Sequence, residues 1–354
     1  MIITVIVFII VLSILVFIHE LGHFLVAKKL GIRVEEFGFG LPPRIKGIKR
    51  GETVYSINWL PIGGFVKLSG EDVDEELKIP QPEIHRYFFA RSKKERAAVL
   101  LAGVTMNFLL AVVVISYIFT QGVFVPTERV HIDKISDNSP ASAAGLQAKD
   151  VIISLAGKTI RTSDDLVSTT KAHLGEPIDV QIERAGASLT LTVVPRKDPP
   201  KNEGPMGVVI SNLEEKKYLW YQAPYYGLIE ALKMSYLMIS SLAGLLFRLV
   251  TFQPAGVEVA GPIGIAQATG QAVKYGIMAV LQLVGVLSLN LAIINVLPIP
   301  ALDGGRLLFV VLEKFLGRRV KPQAERVAHQ IGMVFLLALI LLVTVNDILR
   351  LIRG

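Results

Sequence analysis

His19, Glu20 and His23 fall in the order H-E-x-x-H within LVFIHELGHFLVAKK, residues 15–29, a segment otherwise built mostly of hydrocarbon side chains. An ionisable group in a membrane-length apolar run is expensive and marks function by default. On a helix, positions i and i+4 share a face, so both imidazoles can reach one zinc ion. Glu20 lies one step round the helix, close enough to act on a water beside the metal and not on the metal itself. Backbone carbonyls could satisfy two buried histidines. The carboxylate between them would still need a partner, and omitting one costs several kcal/mol. A metal site accounts for all three side chains.

A catalytic zinc takes three protein ligands and keeps one position for water. His85, His131, His173 and His329 stand in or near polar sequence and read as surface or loop histidines. Asp303 is the stronger third ligand: it is the only acid between Glu258 and Glu313 and follows the long apolar run SLNLAIINVLPIPAL. Pro298 and Pro300 break the helix before it, and Gly304-Gly305 permits an irregular turn after it. Non-helical backbone at membrane depth is tolerated only inside protein or along a wet cavity. The alternative for Asp303 is a cap at a helix end.

These residues need a membrane to sit in. The chain has 354 residues, 52% hydrophobic and 19% charged, with no cysteine, so thiolate ligands and disulfides are excluded. The net charge of +7 comes from basic residues at the ends of apolar runs, the pattern of topology signals and not of nucleic-acid binding. Spans of roughly 20 residues are expected in 1–30, 96–121, 275–306 and 327–352. The first has no basic leader or small-residue cleavage site and is expected to stay in the mature protein. A fifth run, 222–252, is interrupted by Glu230, Lys233 and Arg248 and reads as an amphipathic helix lying in the interface, with a membrane span as the alternative. Lys28, Lys29 and Arg33, then Arg91, Lys93, Lys94 and Arg96, then Lys314, Arg318, Arg319 and Lys321 should be cytoplasmic. That puts the first and third spans in the same direction, with His19, His23 and Asp303 at similar depth near the cytoplasmic side.

Between the first two spans, residues 31–95 carry strand-like pieces such as TVYSINWL and FVKL, punctuated by Gly and Pro, and read as β-hairpins at the membrane. Residues 126–210 are polar and mixed in charge. PIDVQIERAGASLTLTVVP reads as a hairpin turning at Ala185-Gly186, and Ser163 as the N-cap of a helix. With SPASAAGLQAKDVIISLAGKTI upstream, the order of elements resembles a PDZ domain, a fold that binds extended chains by strand addition. A peptide C-terminus is its expected partner. The fold class expected is thus a polytopic α-helical membrane protein of about four transmembrane helices, with a β-hairpin region and an inserted extracytoplasmic PDZ domain of α+β type.

H-E-x-x-H in the first span and NVLPIPALDGG in a late one resemble the site-2 protease class of intramembrane metalloproteases, in its branch with inserted PDZ domains. FGFG at 37–40, PIGGFVKLSGE at 61–71, AGVTMNF at 102–108 and GPIGIA at 261–266 extend the resemblance along the chain. Leu41 follows FGFG where the family often has proline. The resemblance implies His19, His23 and Asp303 as zinc ligands, Glu20 as catalytic glutamate, and Asn295 and Pro298 in the stretch that accommodates substrate. It also implies an endopeptidase of the cell (inner or cytoplasmic) membrane that cuts single-span proteins in the lipid bilayer, such as anti-sigma factors or signal-peptide remnants. The competing readings are a non-catalytic PDZ-bearing scaffold and a metal transporter. The scaffold should have lost Glu20 or a ligand, and the transporter gives Glu20 no role.

Overall fold

A computed structural model describes residues 2–71, 81–251, 253 and 260–353. The chain divides into two compact units, Met1–Ile118 with Trp220–Gly354, and Phe119–Leu219.

In the first unit, α1 (Ile2–Lys29) is apolar on every side, as a helix facing lipid and protein must be. It ends with Lys28 and Lys29 in its last turn and Gly31 at φ +72, the left-handed residue that stops a helix. Next come β1 (Val34–Arg50) and β2 (Thr53–Leu68). Phe37, Gly38 and Phe39 each have two partners in β2: Tyr55 and Val66, Ser56 and Phe65, Ile57 and Gly64. β2 therefore folds around β1, and residues 64–68 form a flank whose far side is not paired with β1. Ile45, Ile48, Ile57, Trp59 and Leu60 are exposed, an apolar surface of the kind that marks contact with a partner or a membrane.

Helix α2 (Lys93–Gln121) opens on a capping box: Ser92 N–H donates to Glu95 Oε2 at 3.0 Å, and Glu95 N–H to Ser92 Oγ at 3.3 Å. Helix α5 (Ala223–Val250) is half-exposed to fully exposed along most of its length. Then follow α6 (Pro262–Tyr275), α7 (Ile277–Val296), α8 (Asp303–Leu316) and α9 (Pro322–Arg353). The stretch expected as one span over 275–306 is two helices with a turn between them. α7 stops at Val296 because Pro298 and Pro300 lack the N–H groups a helix would need, and α8 begins at Asp303. Five helices among the described residues are long and apolar enough to cross a membrane: Ile2–Lys29, Lys93–Gln121, Ala223–Arg248, Ile277–Val296 and Gln323–Ile352.

Glu313 of α8, 2% exposed, pairs with the buried Arg96 guanidinium of α2, and Lys93 Nζ donates to the Glu313 carbonyl at 2.8 Å. Removing one member of a buried pair leaves the other charge uncompensated, at about 3–5 kcal/mol. Glu313→Ala should therefore lower the thermal unfolding midpoint in detergent sharply, and Glu313→Ala with Arg96→Met should recover part of it. A single variant as stable as the parent would show the pair to be idle.

The second unit is an antiparallel sheet in the order β7 (Ala187–Val193), β6 (Ile178–Arg184), β4 (Val151–Leu155), β3 (Val123–Ile135), β8 (Val208–Lys216), with β5 (Lys158–Thr159) on β4. Val130, Ile132, Leu155, Val180 and Ile182 fill its core with α3 (Pro140–Ala143) and α4 (Ser163–Ala172) nearby. Thr162, not Ser163, caps α4. Its hydroxyl accepts from Asp165 N–H while the Asp165 carboxylate accepts from Thr162 N–H, so the third helical position selects the threonine. The Thr162 hydroxyl also donates to the Asp165 carboxylate at 2.9 Å, and with the Arg161 and Thr162 N–H groups it holds that carboxyl below its ordinary range.

Candidate metal centre

The spacing of His19 and His23 on α1 turns both imidazoles toward α2 and the turn before α8. His19 Nε2 lies 2.9 Å from Asp303 Oδ2, His23 Nε2 lies 3.3 Å from the same oxygen, and the two Nε2 atoms are 3.2 Å apart. Donors about 2.0–2.1 Å from a tetrahedral zinc sit about 3.3 Å from one another. The three edges fit. Two imidazoles and one carboxylate are also a donor set that zinc accepts.

The hydrogen bonds around the trio leave the correct nitrogens free. His23 Nδ1 lies 2.8 Å from the carbonyl of Val99, which can only accept, so Nδ1 carries the proton and Nε2 keeps its lone pair. The amide of Asn107 on α2 approaches His19 Nδ1 at 3.2 Å through its nitrogen, leaving its buried Oδ1 without a partner. Oxygen and nitrogen of an amide are assigned from such networks. Turning the amide over lets Oδ1 accept from His19 Nδ1–H, which puts the ring proton on Nδ1 and frees His19 Nε2. Ser288 of α7 fixes this part of α2 by donating to the Asn107 carbonyl at 2.8 Å. Gly103 makes room, since a Cβ there would lie 2.4 Å from His23 Nε2 and 2.8 Å from His19 Nε2.

Asp303 is delivered by the turn at 297–302. A Cβ on Gly304 would stand 2.0 Å from the Leu297 carbonyl oxygen, and one on Gly305 would stand 2.3 Å from that of Ile299. Only glycines let the new helix start so close to the old one. Glu20 Oε2 accepts from the Val66 N–H of β2 at 3.1 Å. A cavity of about 300 Å³ adjoins, lined by Glu20, His23, Val66, Asp303, Arg306 and His329 among others. Arg306 pairs there with Glu71.

The structure therefore brings His19, Glu20, His23 and Asp303 together. Asn295 is half-buried in the last turn of α7 and Pro298 is exposed in the break, and neither lines this cavity. His85 is exposed, and His131 and His173 belong to the second unit. His329 departs from its expected place as a surface or loop residue. Its Nδ1 accepts from Ala301 N–H at 2.8 Å, because α9 starts at Pro322 and packs this turn of helix against the chain before Asp303. Sequence reasoning gave Asn107, Gly103 and Val66 no role. All three nevertheless lie in stretches that carry the family resemblance, 102–108 and 61–71, and an asparagine within the apolar run 96–121 is a further signal.

Comparison with known proteins agrees with this chemistry. The profile described as peptidase family M50 matches residues 7–339. The zinc metalloprotease RasP of Geobacillus kaustophilus is 32% identical, with 96% of this chain and 96% of that protein aligned. The regulator of sigma-W protease RasP of Bacillus subtilis is 31% identical over 98% of this chain and 99% of its own length. A solved PDZ domain of the SdrC-like protein of Listeria monocytogenes covers 25% of this chain and 93% of its own at 17% identity, with a TM-score of 0.22, too weak a likeness to bear on the fold.

Proposed function

The chain belongs to peptidase family M50 and is a zinc metalloendopeptidase, and on that premise we propose that His19, His23 and Asp303 hold the zinc and that Glu20 is the catalytic acid–base. One observation carries this reading: three donor atoms with the spacing of zinc ligands converge from positions as far apart in the chain as 19 and 303. Bound zinc supplies a Lewis acid and a water of lowered pKa. Glu20, held through Oε2 by Val66 N–H, has Oε1 left to take a proton from the attacking water and to return it to the leaving amine.

The substrates we propose are transmembrane segments of single-span membrane proteins. A helical segment must be locally unwound before it can be cut, because its carbonyls are held in i to i−4 bonds. The flank of β2 at residues 64–68, beside Glu20, can receive the unwound strand and satisfy backbone groups that lipid cannot. Val66→Pro removes the N–H by which this edge anchors Glu20. Cleavage of a helical transmembrane substrate should fall about 10²-fold, the cost of misplacing a catalytic group by about 1 Å. Zinc content should not change. Undiminished cleavage would show that Glu20 does not need this anchor.

The basic residues flanking the helices support a zinc site near the cytoplasmic side and a second unit outside the membrane, and Glu230, Lys233 and Arg248 support α5 in the interface although it is long enough to span. The second unit, read as a PDZ domain, would either bind a freshly exposed C-terminus or filter out substrates with bulky outer domains. The Bacillus subtilis relative is named for regulating sigma-W. By that likeness, proteins of the anti-sigma-factor class are the substrates to try first. The test is metal removal. Chelator-treated protein in proteoliposomes should stop cutting a labelled single-span substrate and regain activity on adding zinc. Metal-free protein that cuts at the untreated rate would overturn the reading.

A further inference from the structure

Asp303 is the one proposed ligand that does not sit inside α1, and the turn delivering it is held from outside. Ala301 has φ +79, a left-handed conformation that a residue with a Cβ rarely adopts and that surrounding structure must enforce. Two groups on one face of α9, at i and i+3, meet this turn. His329 Nδ1 accepts from Ala301 N–H at 2.8 Å. Gly332 lies so close to Pro300 that an added Cβ would be 2.4 Å from its carbonyl oxygen and 2.6 Å from its Cβ. The ring of Phe309, on α8, flanks the imidazole with centroids 5.7 Å apart.

We infer that His329 is a positioning residue for the metal site: with Gly332 as the seat for Pro300, it holds the Ala301 turn so that Asp303 meets His19 and His23. This rests on the reading that those three residues hold zinc. The imidazole does not touch the metal. It acts through the backbone, since an N–H bonded to α9 fixes the peptide plane two residues before the ligand. Because Nδ1 accepts, the ring proton is on Nε2. What the site needs at 329 is therefore an acceptor at the Nδ1 position. Asparagine supplies one through Oδ1, and leucine does not. Asp303 is the third donor, and removing an outer partner of a metal ligand ordinarily weakens metal binding about 10–100-fold.

Zinc release from full-length protein in detergent, followed with a colorimetric chelator, tests this without using activity. His329→Leu should release zinc at least about 10-fold faster than the parent. His329→Asn should release it within about 3-fold of the parent, well inside the loss expected when an outer partner is removed. Gly332→Ala, which keeps the histidine but displaces Pro300, should behave like the leucine variant. A leucine variant with the parental rate overturns the inference. So does an asparagine variant as fast as the leucine one, because the imidazole would then be filling space only. The parent reading fails in a different way: zinc content would be unchanged in His23→Ala.

Discussion

Glu20→Gln will keep its zinc and lose its peptidase activity. The substitution conserves size and can still accept the Val66 N–H bond through the amide oxygen, so the packing of α1 against β2 should persist. What disappears is the ability to take a proton from the attacking water. Positioned acid–base groups contribute about 10²–10⁴-fold, and cleavage of a labelled transmembrane substrate should fall by that range. Metal analysis of the same preparation should give the parental zinc content, since Glu20 is not among the three clustered donors. Substrate should then accumulate uncut against the variant in the membrane. A Glu20→Gln protein that cuts normally would remove Glu20 from the mechanism, and one without zinc would make it a ligand.

Asp303→Ala should fail one step earlier, at metal binding. Oδ2 of Asp303 is the corner shared by both short contacts, 2.9 Å to His19 and 3.3 Å to His23. Two imidazoles alone leave zinc short of the three protein ligands its catalytic sites use. The loss of affinity should exceed the about 10–100-fold typical of an outer-shell partner, and cleavage should vanish with it. The fold should survive, because Gly304 and Gly305 still permit the close start of α8 and the Glu313–Arg96 pair still ties α8 to α2. Purified variant with one zinc per chain would show that the ion sits elsewhere. Normal zinc with normal cleavage would refute the candidate centre outright.

Much of the centre is legible in the order of residues. The H-E-x-x-H spacing is a local matter, because a helix puts i and i+4 on one face whatever surrounds it. Asp303 is legible for a different reason: a solitary acid behind an apolar run needs a partner, and the prolines before it announce broken backbone. The capping box at Ser92 and Glu95 and the stop at Gly31 are likewise local signals. The cap of α4 falls one residue from its expected place because Thr162 and Ser163 are both competent, and only the Asp165 partner selects between them.

By itself, then, the amino-acid order determined that two histidines with the spacing of metal ligands lie in a membrane-length helix, that an acid far along the chain is their candidate companion, and that a β-rich piece adjoins them. Helix period, hydrocarbon length and proline chemistry act over a few residues, which is why they can be read along a single chain. Tertiary structure alone decided that α2 contributes Asn107 and the clearance at Gly103, that a strand edge of β2 holds Glu20, and that α9 steadies the turn before Asp303. Each of these is a contact between segments distant in sequence. Such contacts depend on which helix faces pack together, and apolar helix faces in a membrane look alike until they meet.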